Sequence, residues 1–291
     1  MAVSHSCGPA LQCAGRALDL GRPLVMGVIN TTPDSFSDGG TLYRSDQLNL
    51  DLALERAKTM VESGADIIDI GGESTRPGAA PVGETLEMDR VLPLLQRIST
   101  ELDVVVSIDT STPALMSEAA AQGAGLINDV RALRRPGAME AAARSGLPVC
   151  LMHMQGEPGS MQRSPEYGDV LTDVGEFLKQ RIAACCEAGI PRERVMLDPG
   201  FGFGKSVQHN LALLAGLPQL AAIGLPLLVG LSRKSLIGQL IGRDVDQRMP
   251  ASIALAVLAA ERGAAIIRTH DVAETSDALA MYSALSELKS Q

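Results

Sequence analysis

The sequence predicts a single-domain α/β protein whose strands close into a (β/α)8 barrel, with a short N-terminal hairpin before it. Eight short apolar runs recur along the 291 residues, and each run ends in a polar or glycine-rich cluster. Segments with helical spacing of apolar residues separate these runs. With 46% hydrophobic and 20% charged residues, the chain can bury the large core that such a barrel needs.

The eight apolar runs are the predicted barrel strands. Each is largely apolar rather than alternating, which is typical of strands that are buried on both faces of a parallel sheet. A doubly wound open sheet would also alternate strands with helices, but eight parallel strands in one unbroken chain favour closure into a TIM barrel. The predicted strands are 24–29, 65–70, 104–108, 125–127, 148–152, 194–197, 226–231 and 264–267.

Helix signals lie between the strands. Residues 48–63 carry Leu, Ala and Met at three- and four-residue spacing, and Gly64 supplies a stop. Thr112 and Pro113 predict a helix over residues 114–121, with the threonine as N-cap and the proline in the first turn. These segments supply the helical half of the β/α units.

No linker or charge run divides the chain, so we predict one barrel domain over residues 23–291. Residues 1–22 form an N-terminal extension, in which residues 17–20 and the following Gly21 predict a small hairpin. We expect this extension to close the bottom of the barrel.

Composition excludes several classes of protein. A formal net charge of −9 argues against a broad nucleic-acid or anionic-membrane surface, because such surfaces need clustered Lys and Arg. No secretory signal and no apolar stretch of about 20 residues is present, so we expect a cytoplasmic protein. The five cysteines show no C-x-x-C spacing and the four histidines no metal-ligand spacing, which indicates free thiols and no protein-ligated zinc.

Polar residues follow every predicted strand. In a (β/α)8 barrel the carboxyl ends of the strands face the active site, so these residues are candidates for function. Asp and Asn also cap helices, but polar side chains after all eight strands are hard to explain by capping alone. In chain order they are Asn30; Asp69 with Glu73, Ser74, Thr75 and Arg76; Asp109; Asn128 and Asp129; His153; Asp198; Ser232, Arg233 and Lys234; and Arg268 with His270.

Two sub-sites follow from the distribution of charge. The bases Lys234, Arg268 and His270 come after the last two strands and would converge on an anion such as phosphate or pyrophosphate. On the other side of the barrel, carboxylate and amide groups offer acceptors and donors to the edge of a planar heterocycle. The second group comprises Asp109, Asn128 and Asp198.

Three glycine-containing segments need interpretation. Residues 31–40 and 71–78 form long polar loops with glycine pairs, which suits lids that exclude water, although ordinary connections would also fit. Residues 200–206 resemble a phosphate-binding loop. The first glycine of that motif would fall at Pro199, and Lys205 stands at the third glycine of a dinucleotide fingerprint, so we predict neither.

Eight blocks, in order along most of the chain, resemble the bacterial dihydropteroate synthase family of pterin-binding TIM barrels. The first two are family signatures rather than generic barrel loops. Thr269 departs from the pattern, since family members often have an apolar residue there. The blocks are MGVINTTPDSFSDGG (26–40), DIGGESTRPGA (69–79), SIDT (107–110), INDV (127–130), LMHMQG (151–156), LDPGFGFGK (197–205), SRKS (232–235) and RTHDV (268–272).

The resemblance implies a transferase of folate biosynthesis that joins 6-hydroxymethyl-7,8-dihydropterin pyrophosphate to p-aminobenzoate, giving 7,8-dihydropteroate and pyrophosphate. Pyrophosphate would leave first to give a pterin cation, which the arylamine attacks. A homodimer, Mg²⁺ as cofactor and inhibition by sulfonamides, which mimic p-aminobenzoate, are further implications. Its partners would be these small molecules, with neither nucleic acid nor membrane.

Residue roles carry over by position from the same resemblance. The pterin would contact Asp109, Asn128, Met152, Asp198, Lys234 and Arg268. Pyrophosphate would contact Asn30, Arg268 and His270, and Asn30 would also bind the metal ion. The p-aminobenzoate would lie among Thr75, Arg76, Pro77, Phe203, Lys234 and Ser235. The catalytic residues would be Lys234, Asp198, Arg76 and Asp38, of which the last two come from the loops.

Two alternatives stay open at the level of sequence. A pterin-dependent methyltransferase would share the pterin pocket, but the bases at 232–234 and 268–270 argue against it because methyl transfer has no pyrophosphate to hold. A catalytically inactive pterin-binding paralogue would be expected to lack a loop or a base, and none is missing here.

Overall fold

Eight parallel strands form a closed barrel in which each strand pairs with its neighbours in chain order and the last pairs with the first. The computed structural model describes residues 10–32, 43–44, 47–74, 82–156, 161 and 165–289. Each predicted run overlaps one barrel strand, so the barrel prediction is confirmed. The barrel strands are β3 (Leu24–Asn30), β6 (Ile67–Gly71), β7 (Val105–Asp109), β8 (Leu126–Asp129), β9 (Val149–Met152), β10 (Val195–Asp198), β11 (Leu227–Gly230) and β12 (Ala264–Thr269).

Helices surround the barrel, and apolar residues of helices and strands form one continuous core between the two layers. No described helix combines the length and the apolar character that a membrane span requires. The helices are α1 (Leu50–Glu62), α2 (Glu84–Glu101), α3 (Pro113–Ala121), α4 (Ala138–Ser145), α5 (Val170–Glu187), α6 (Val207–Ala215), α7 (Leu217–Ala221), α8 (Ser235–Ile241), α9 (Met249–Glu261) and α10 (Val272–Lys289). Short 3-10 turns lie at Arg192–Arg194 and Val245–Gln247.

The N-cap prediction for α3 is correct in position but not in its contact. Thr112 is the N-cap residue and Pro113 opens the helix, yet the threonine side chain makes no capping hydrogen bond. Its hydroxyl instead donates to the carboxylate of Glu87 at 2.6 Å and accepts from Arg135 at 3.0 Å. Glu87 is 1% exposed, and a buried carboxylate needs such donors, so the threonine hydroxyl satisfies it instead of a backbone N–H of the helix.

The N-terminal hairpin lies earlier than residues 17–20. Its strands are β1 (Leu11–Cys13) and β2 (Arg16–Leu18), joined by a two-residue turn at Ala14 and Gly15, both with positive φ. Leu11, Cys13 and Leu18 are buried in one cluster with interior side chains from the barrel strands. The hairpin therefore covers the amino ends of these strands. A second small sheet pairs β4 (Tyr43–Arg44) with β5 (Gln47–Leu48).

Candidate active site

A cavity of about 670 Å³ lies at the carboxyl ends of the barrel strands. All ten predicted site residues within the described part of the chain line it, so the structure brings them together. The remaining four, Asp38, Thr75, Arg76 and Pro77, lie outside the described residues. The ten are Asn30, Asp109, Asn128, Met152, Asp198, Phe203, Lys234, Ser235, Arg268 and His270.

Strand alternation places these polar groups above an apolar floor. On β12, Ile266 belongs to the buried interior cluster, and Arg268, two residues later, lines the cavity. Leu126 and Asn128 have the same relation on β8. These two strands thus each contribute an apolar residue to the barrel core and then a polar residue to the site.

Arg268 is held by two carboxylates on the neighbouring side of the barrel. Its Nε donates to Oδ2 of Asp69 at 2.7 Å, and its NH2 group donates to Oδ2 of Asp109 at 3.0 Å. The amide of Asn128 also donates to Asp69, at 3.3 Å. Asp69 is fully buried and does not line the cavity. Asp69 therefore orients Arg268. The feature of the sequence that indicates this role is a carboxylate inside an otherwise apolar strand.

Burial and neighbouring charges together shift the pKa values of Asp109 and Arg268. The pKa of Asp109 rises to about 7 because burial disfavours its charge, an effect that Arg268 partly offsets. Burial also disfavours the charge of Arg268, but Asp69 and Asp109 outweigh it and raise the pKa of the guanidinium. Arg268 therefore stays cationic while Asp109 titrates close to neutral pH.

Lys234 links the two halves of the cavity. Its ammonium donates to the carbonyl of Phe201 at 2.8 Å and lies 4.2 Å from the centre of the Phe203 ring. Burial lowers the pKa of Lys234 to about 8, although Asp198 acts in the opposite sense. Asp198 accepts the backbone N–H of Gly200 at 2.7 Å, and burial raises its pKa.

The loop over residues 199–205 is organised by Lys205, a role that no motif in the sequence indicates. Lys205 is 3% exposed, and its ammonium donates to the carbonyls of Gly200 at 2.8 Å and Phe203 at 3.0 Å. It also lies 2.9 Å from Nδ1 of His153. The polar strand-end residue His153 therefore supports this loop rather than the cavity. Burial lowers the pKa of Lys205 to about 7.

Glu73 connects the second loop to the barrel. Its carboxylate accepts from Arg131 at 2.9 Å and lies 3.9 Å from Arg135. Asp129, another predicted strand-end candidate, is fully buried and accepts the backbone N–H groups of Arg131 and Leu133, each at 2.8 Å. Asp129 therefore stabilises the turn that follows β8 and caps no helix, since α4 begins only at Ala138 with Gly137 as its N-cap.

Several cavity residues escaped the sequence analysis because they do not follow a strand. Gln239 belongs to α8, while Val245 and Arg248 precede α9, and all three line the cavity. Met161 lines it as well, from a loop. No periodicity or motif marks these positions, since tertiary packing alone brings them to the site.

A family model described as pterin binding enzyme matches residues 26–270. Dihydropteroate synthase of Escherichia coli K12 is 51% identical over 275 residues, covering 94% of this chain and 96% of that protein. A crystal structure of Yersinia pestis dihydropteroate synthase with a sulfonamide drug superposes with a TM-score of 0.92 at 53% identity, covering 96% of this chain and 99% of that one. Xanthomonas albilineans dihydropteroate synthase with 4-aminobenzoic acid gives 0.88 at 50% identity, with coverage of 96% and 98%.

Fold and cavity together define a barrel enzyme whose site combines buried carboxylates with a cluster of bases. The chain belongs to the pterin-binding enzyme family. Within that family the similar proteins described above are dihydropteroate synthases, which confirms the resemblance seen in the sequence blocks.

Proposed function

We propose that this chain condenses 6-hydroxymethyl-7,8-dihydropterin pyrophosphate with p-aminobenzoate, forming 7,8-dihydropteroate and pyrophosphate. The observation that carries the proposal is the single cavity in which Asp109, Asn128 and Asp198 face the bases Lys234 and Arg268. One wall suits a hydrogen-bonding heterocycle, and the other suits an anion. The name shared by the similar proteins describes this reaction.

The pterin is assigned to the deep part of the cavity. Carboxylates of Asp109 and Asp198 accept N–H groups of the ring, and Asn128 donates or accepts at the same edge. Met152 is 4% exposed and packs with Val130 and Met161 in an apolar cluster that suits the flat face of a heterocycle. Buried acceptors of this kind reject a ring that lacks matching donors.

The arylamine is assigned to the side of the cavity lined by Phe203, Lys234 and Ser235. Phe203 lies in partial exposure beside the Met cluster and offers an aromatic surface. Ser235 begins α8, but that helix has only seven residues, so we assign the contact to the Ser235 side chain and not to a helix dipole. Sulfonamides would compete for this position, as a drug of that class is bound in the Yersinia pestis structure.

Pyrophosphate is assigned to the bases at the end of β12. Arg268 and His270 line the cavity there with Asn30, which ends β3, the adjacent strand. Within the described residues no group of three or more His, Cys, Asp or Glu gathers around a metal position. Mg²⁺ commonly takes only one or two protein oxygens beside substrate phosphates and water, so a single amide oxygen from Asn30 fits it. Bound there, Mg²⁺ would neutralise charge on the departing pyrophosphate.

The proposed chemistry breaks one bond before it forms the next. The C–O bond of the pterin methylene breaks, and its electron pair leaves with pyrophosphate, whose charge Arg268 and His270 stabilise. The arylamine nitrogen then attacks the pterin cation, and the C–N bond forms as the amine loses a proton to solvent. Asp109 and Asp198 stabilise the cation, since both carboxylates lie in the pterin part of the site. No protein nucleophile takes part.

We also propose a cytoplasmic homodimer. The support for association is a set of large apolar side chains exposed on the surface, including Leu240 at 50%, Ile241 at 53% and, on α10, Met281 at 74% and Leu288 at 69% exposure. Light scattering of the purified protein tests the dimer. A monomer at micromolar concentration would contradict it.

The test of function is a condensation assay with purified protein, Mg²⁺ and both substrates, in which pyrophosphate and dihydropteroate are measured together. Equal amounts of the two products are expected. Pterin binding without either product would instead identify a binding paralogue, and the absence of pterin binding would contradict the assignment of the cavity.

A further inference from the structure

Ser232 and His270 lie on the loops that follow β11 and β12 and make two hydrogen bonds with each other. The Ser232 hydroxyl oxygen lies 3.0 Å from Nδ1 of His270. The same oxygen accepts the backbone N–H of His270 at 3.2 Å. Both residues line the cavity. One serine therefore contacts the histidine at its ring and at its backbone.

One neutral form of the imidazole satisfies every hydrogen in this arrangement. A neutral ring carries a proton on one nitrogen and accepts at the other. The Ser232 oxygen accepts the backbone N–H, and its own hydrogen has Nδ1 as the acceptor within reach among the described residues. If Nδ1 carried the proton, it would donate to the Ser232 oxygen, and the Ser232 hydroxyl hydrogen would lose Nδ1 as its acceptor. The contacts therefore favour an unprotonated Nδ1 and a protonated Nε2.

The adjacent residues hold the two loops together. The guanidinium of Arg233 donates through Nε to Asp271 at 3.1 Å and makes a second, shorter contact to the same carboxylate. The backbone N–H of Arg233 also donates to Ser252 of α9 at 2.9 Å, a contact that takes no part in the pairing of the two loops. Consecutive residues on one loop thus pair with consecutive residues on the other, which keeps Ser232 and His270 in register.

The surroundings also keep the ring neutral. Burial and then the nearby Arg268 lower the pKa of His270 to about 3. Further cations that face it are Arg233, Arg56 and Lys234. A neutral ring can donate from only one nitrogen, so the choice of nitrogen decides what the ring can do for a ligand.

We propose that Ser232 is a positioning residue that fixes His270 in its Nε2-protonated form, so that the ring offers an N–H donor to the pyrophosphate group. This inference rests on the proposed function, which places pyrophosphate beside Arg268 and His270. The hydrogen-bond directions of Nδ1 and Nε2 diverge in the plane of the ring, so the bond between Nδ1 and Ser232 directs the Nε2–H group away from the serine. His270 then binds the leaving group as a donor without gaining or losing a proton.

The tautomer can be observed without any substrate. Wild-type protein labelled with ¹⁵N-histidine contains four histidines, and the spectrum of His270→Gln identifies the signals of His270. The nitrogen shifts are expected to show an unprotonated Nδ1 and a protonated Nε2 at neutral pH. In Ser232→Ala both tautomers should appear. A wild-type ring protonated on Nδ1, or on both nitrogens, overturns the proposal.

Binding and kinetics test the consequence for the ligand. In Ser232→Ala, the KM for dihydropterin pyrophosphate and the Kd for inorganic pyrophosphate with Mg²⁺ should rise about tenfold, the value of one hydrogen bond. The Kd for 6-hydroxymethylpterin, which lacks the pyrophosphate, should not change. Ser232→Thr keeps the hydroxyl and should restore the wild-type values.

Ser252→Ala is the matched control, because its hydroxyl also accepts a backbone N–H of the same loop but does not contact a histidine in the structure. Its effect on pyrophosphate binding should be small. Equal losses in Ser232→Ala and Ser252→Ala, or an equal loss of pterin and pyrophosphate binding in Ser232→Ala, would overturn the proposal. A wild type that makes no dihydropteroate overturns the proposed function and the ligand assigned here. Product formation with His270 protonated on Nδ1 overturns only the role of Ser232.

Discussion

The two ends of the barrel interior differ, although the same strands build both. At the amino ends, Ile67 and Leu126 are apolar and fully buried beneath the hairpin. At the carboxyl ends, two residues later on the same strands, stand Asp69 and Asn128. The amino end stabilises the fold by burying apolar surface, whereas the carboxyl end keeps charges in a place that disfavours them. Substitutions should therefore separate stability from activity according to the end of the barrel.

Lys234→Ala should give the largest loss of activity. The ammonium lies half-buried between the proposed pterin and p-aminobenzoate positions, and removing one such group from a catalytic site lowers kcat/KM on the order of 10²–10³-fold. The melting temperature should stay the same or rise, because burial disfavours the charge of Lys234. The measurement is steady-state kinetics together with thermal unfolding.

The exposed Lys179 on α5 provides a matched control, since Lys179→Ala removes the same charge far from the cavity. It should leave both quantities unchanged. Turnover near the wild-type value in Lys234→Ala would contradict the role assigned to Lys234.

Ile67→Ala should show the opposite behaviour at the other end of the same barrel. Truncation of a fully buried side chain lowers the free energy of unfolding by about 2–5 kcal/mol. The specific activity of the folded fraction should be unchanged, because the residue does not line the cavity. Urea unfolding followed by two probes measures the first quantity, and a loss of activity without a loss of stability would break the comparison.

Asp198→Asn should have a smaller effect than the loss of Lys234. The amide can still accept the backbone N–H of Gly200, but it loses the charge that a pterin N–H contacts, a difference of about 1.5–3 kcal/mol. Pterin affinity should fall about ten- to a hundredfold. Titration calorimetry measures it, with the melting temperature as control. Wild-type affinity would remove Asp198 from the pterin site.

The barrel and most of its site were predictable from the sequence because both depend on local patterns. Apolar runs mark the strands, and polar residues after most of the runs mark the cavity edge, with His153 as an exception. What stayed hidden depends on tertiary contacts. The pairing of Asp69 with Arg268 joins positions 199 residues apart, and nothing in either strand indicates the other.

Thr269, which the sequence comparison with the family singled out as an expected departure, illustrates the same limit. Its hydroxyl accepts the backbone N–H of Asp271 at 3.1 Å and lies 3.0 Å from the hydroxyl of Thr275. It is 2% exposed and does not line the cavity. Thr269 therefore belongs to a local hydrogen-bond network, which the sequence alone does not reveal.

Lys205→Met tests whether the residues that support the cavity can be separated from those that line it. Loss of the ammonium frees the carbonyls of Gly200 and Phe203, so the loop carrying Phe203 should loosen. The KM for p-aminobenzoate should rise about tenfold, as expected for one lost hydrogen bond to the loop, and kcat should change less. Lys179→Met is the control. A tenfold fall in kcat with an unchanged KM would contradict a positioning role for Lys205.

The pH dependence of activity tests the charged groups at the carboxyl end of the barrel. Asp109 must be ionised to accept from the pterin, and its pKa is raised to about 7, whereas Lys234 must be protonated, and its pKa is lowered to about 8. The profile of kcat/KM should therefore be bell-shaped, with its maximum between about pH 7 and 8. Lys234→Arg keeps its charge at higher pH and should move the alkaline limb of the profile to higher pH. An alkaline limb that does not move would show that another group produces it.

The contribution of Asp109 and Lys234 to the free energy of unfolding should have a minimum at the pH where kcat/KM has its maximum. Between the ordinary pKa of 3.8 and about 7, the folded state binds more protons at Asp109, so stability falls as pH rises. Between about 8 and the ordinary 10.5, the unfolded state binds more protons at Lys234, so stability rises with pH. The contribution of this pair is therefore smallest between about pH 7 and 8, where both groups are charged and activity is greatest. Asp109→Asn and Lys234→Met should each remove one limb of this minimum in the free energy of unfolding, whereas Ile67→Ala should lower the whole curve without changing its shape. A curve that changes shape in Ile67→Ala would show that the two ends of the barrel are coupled.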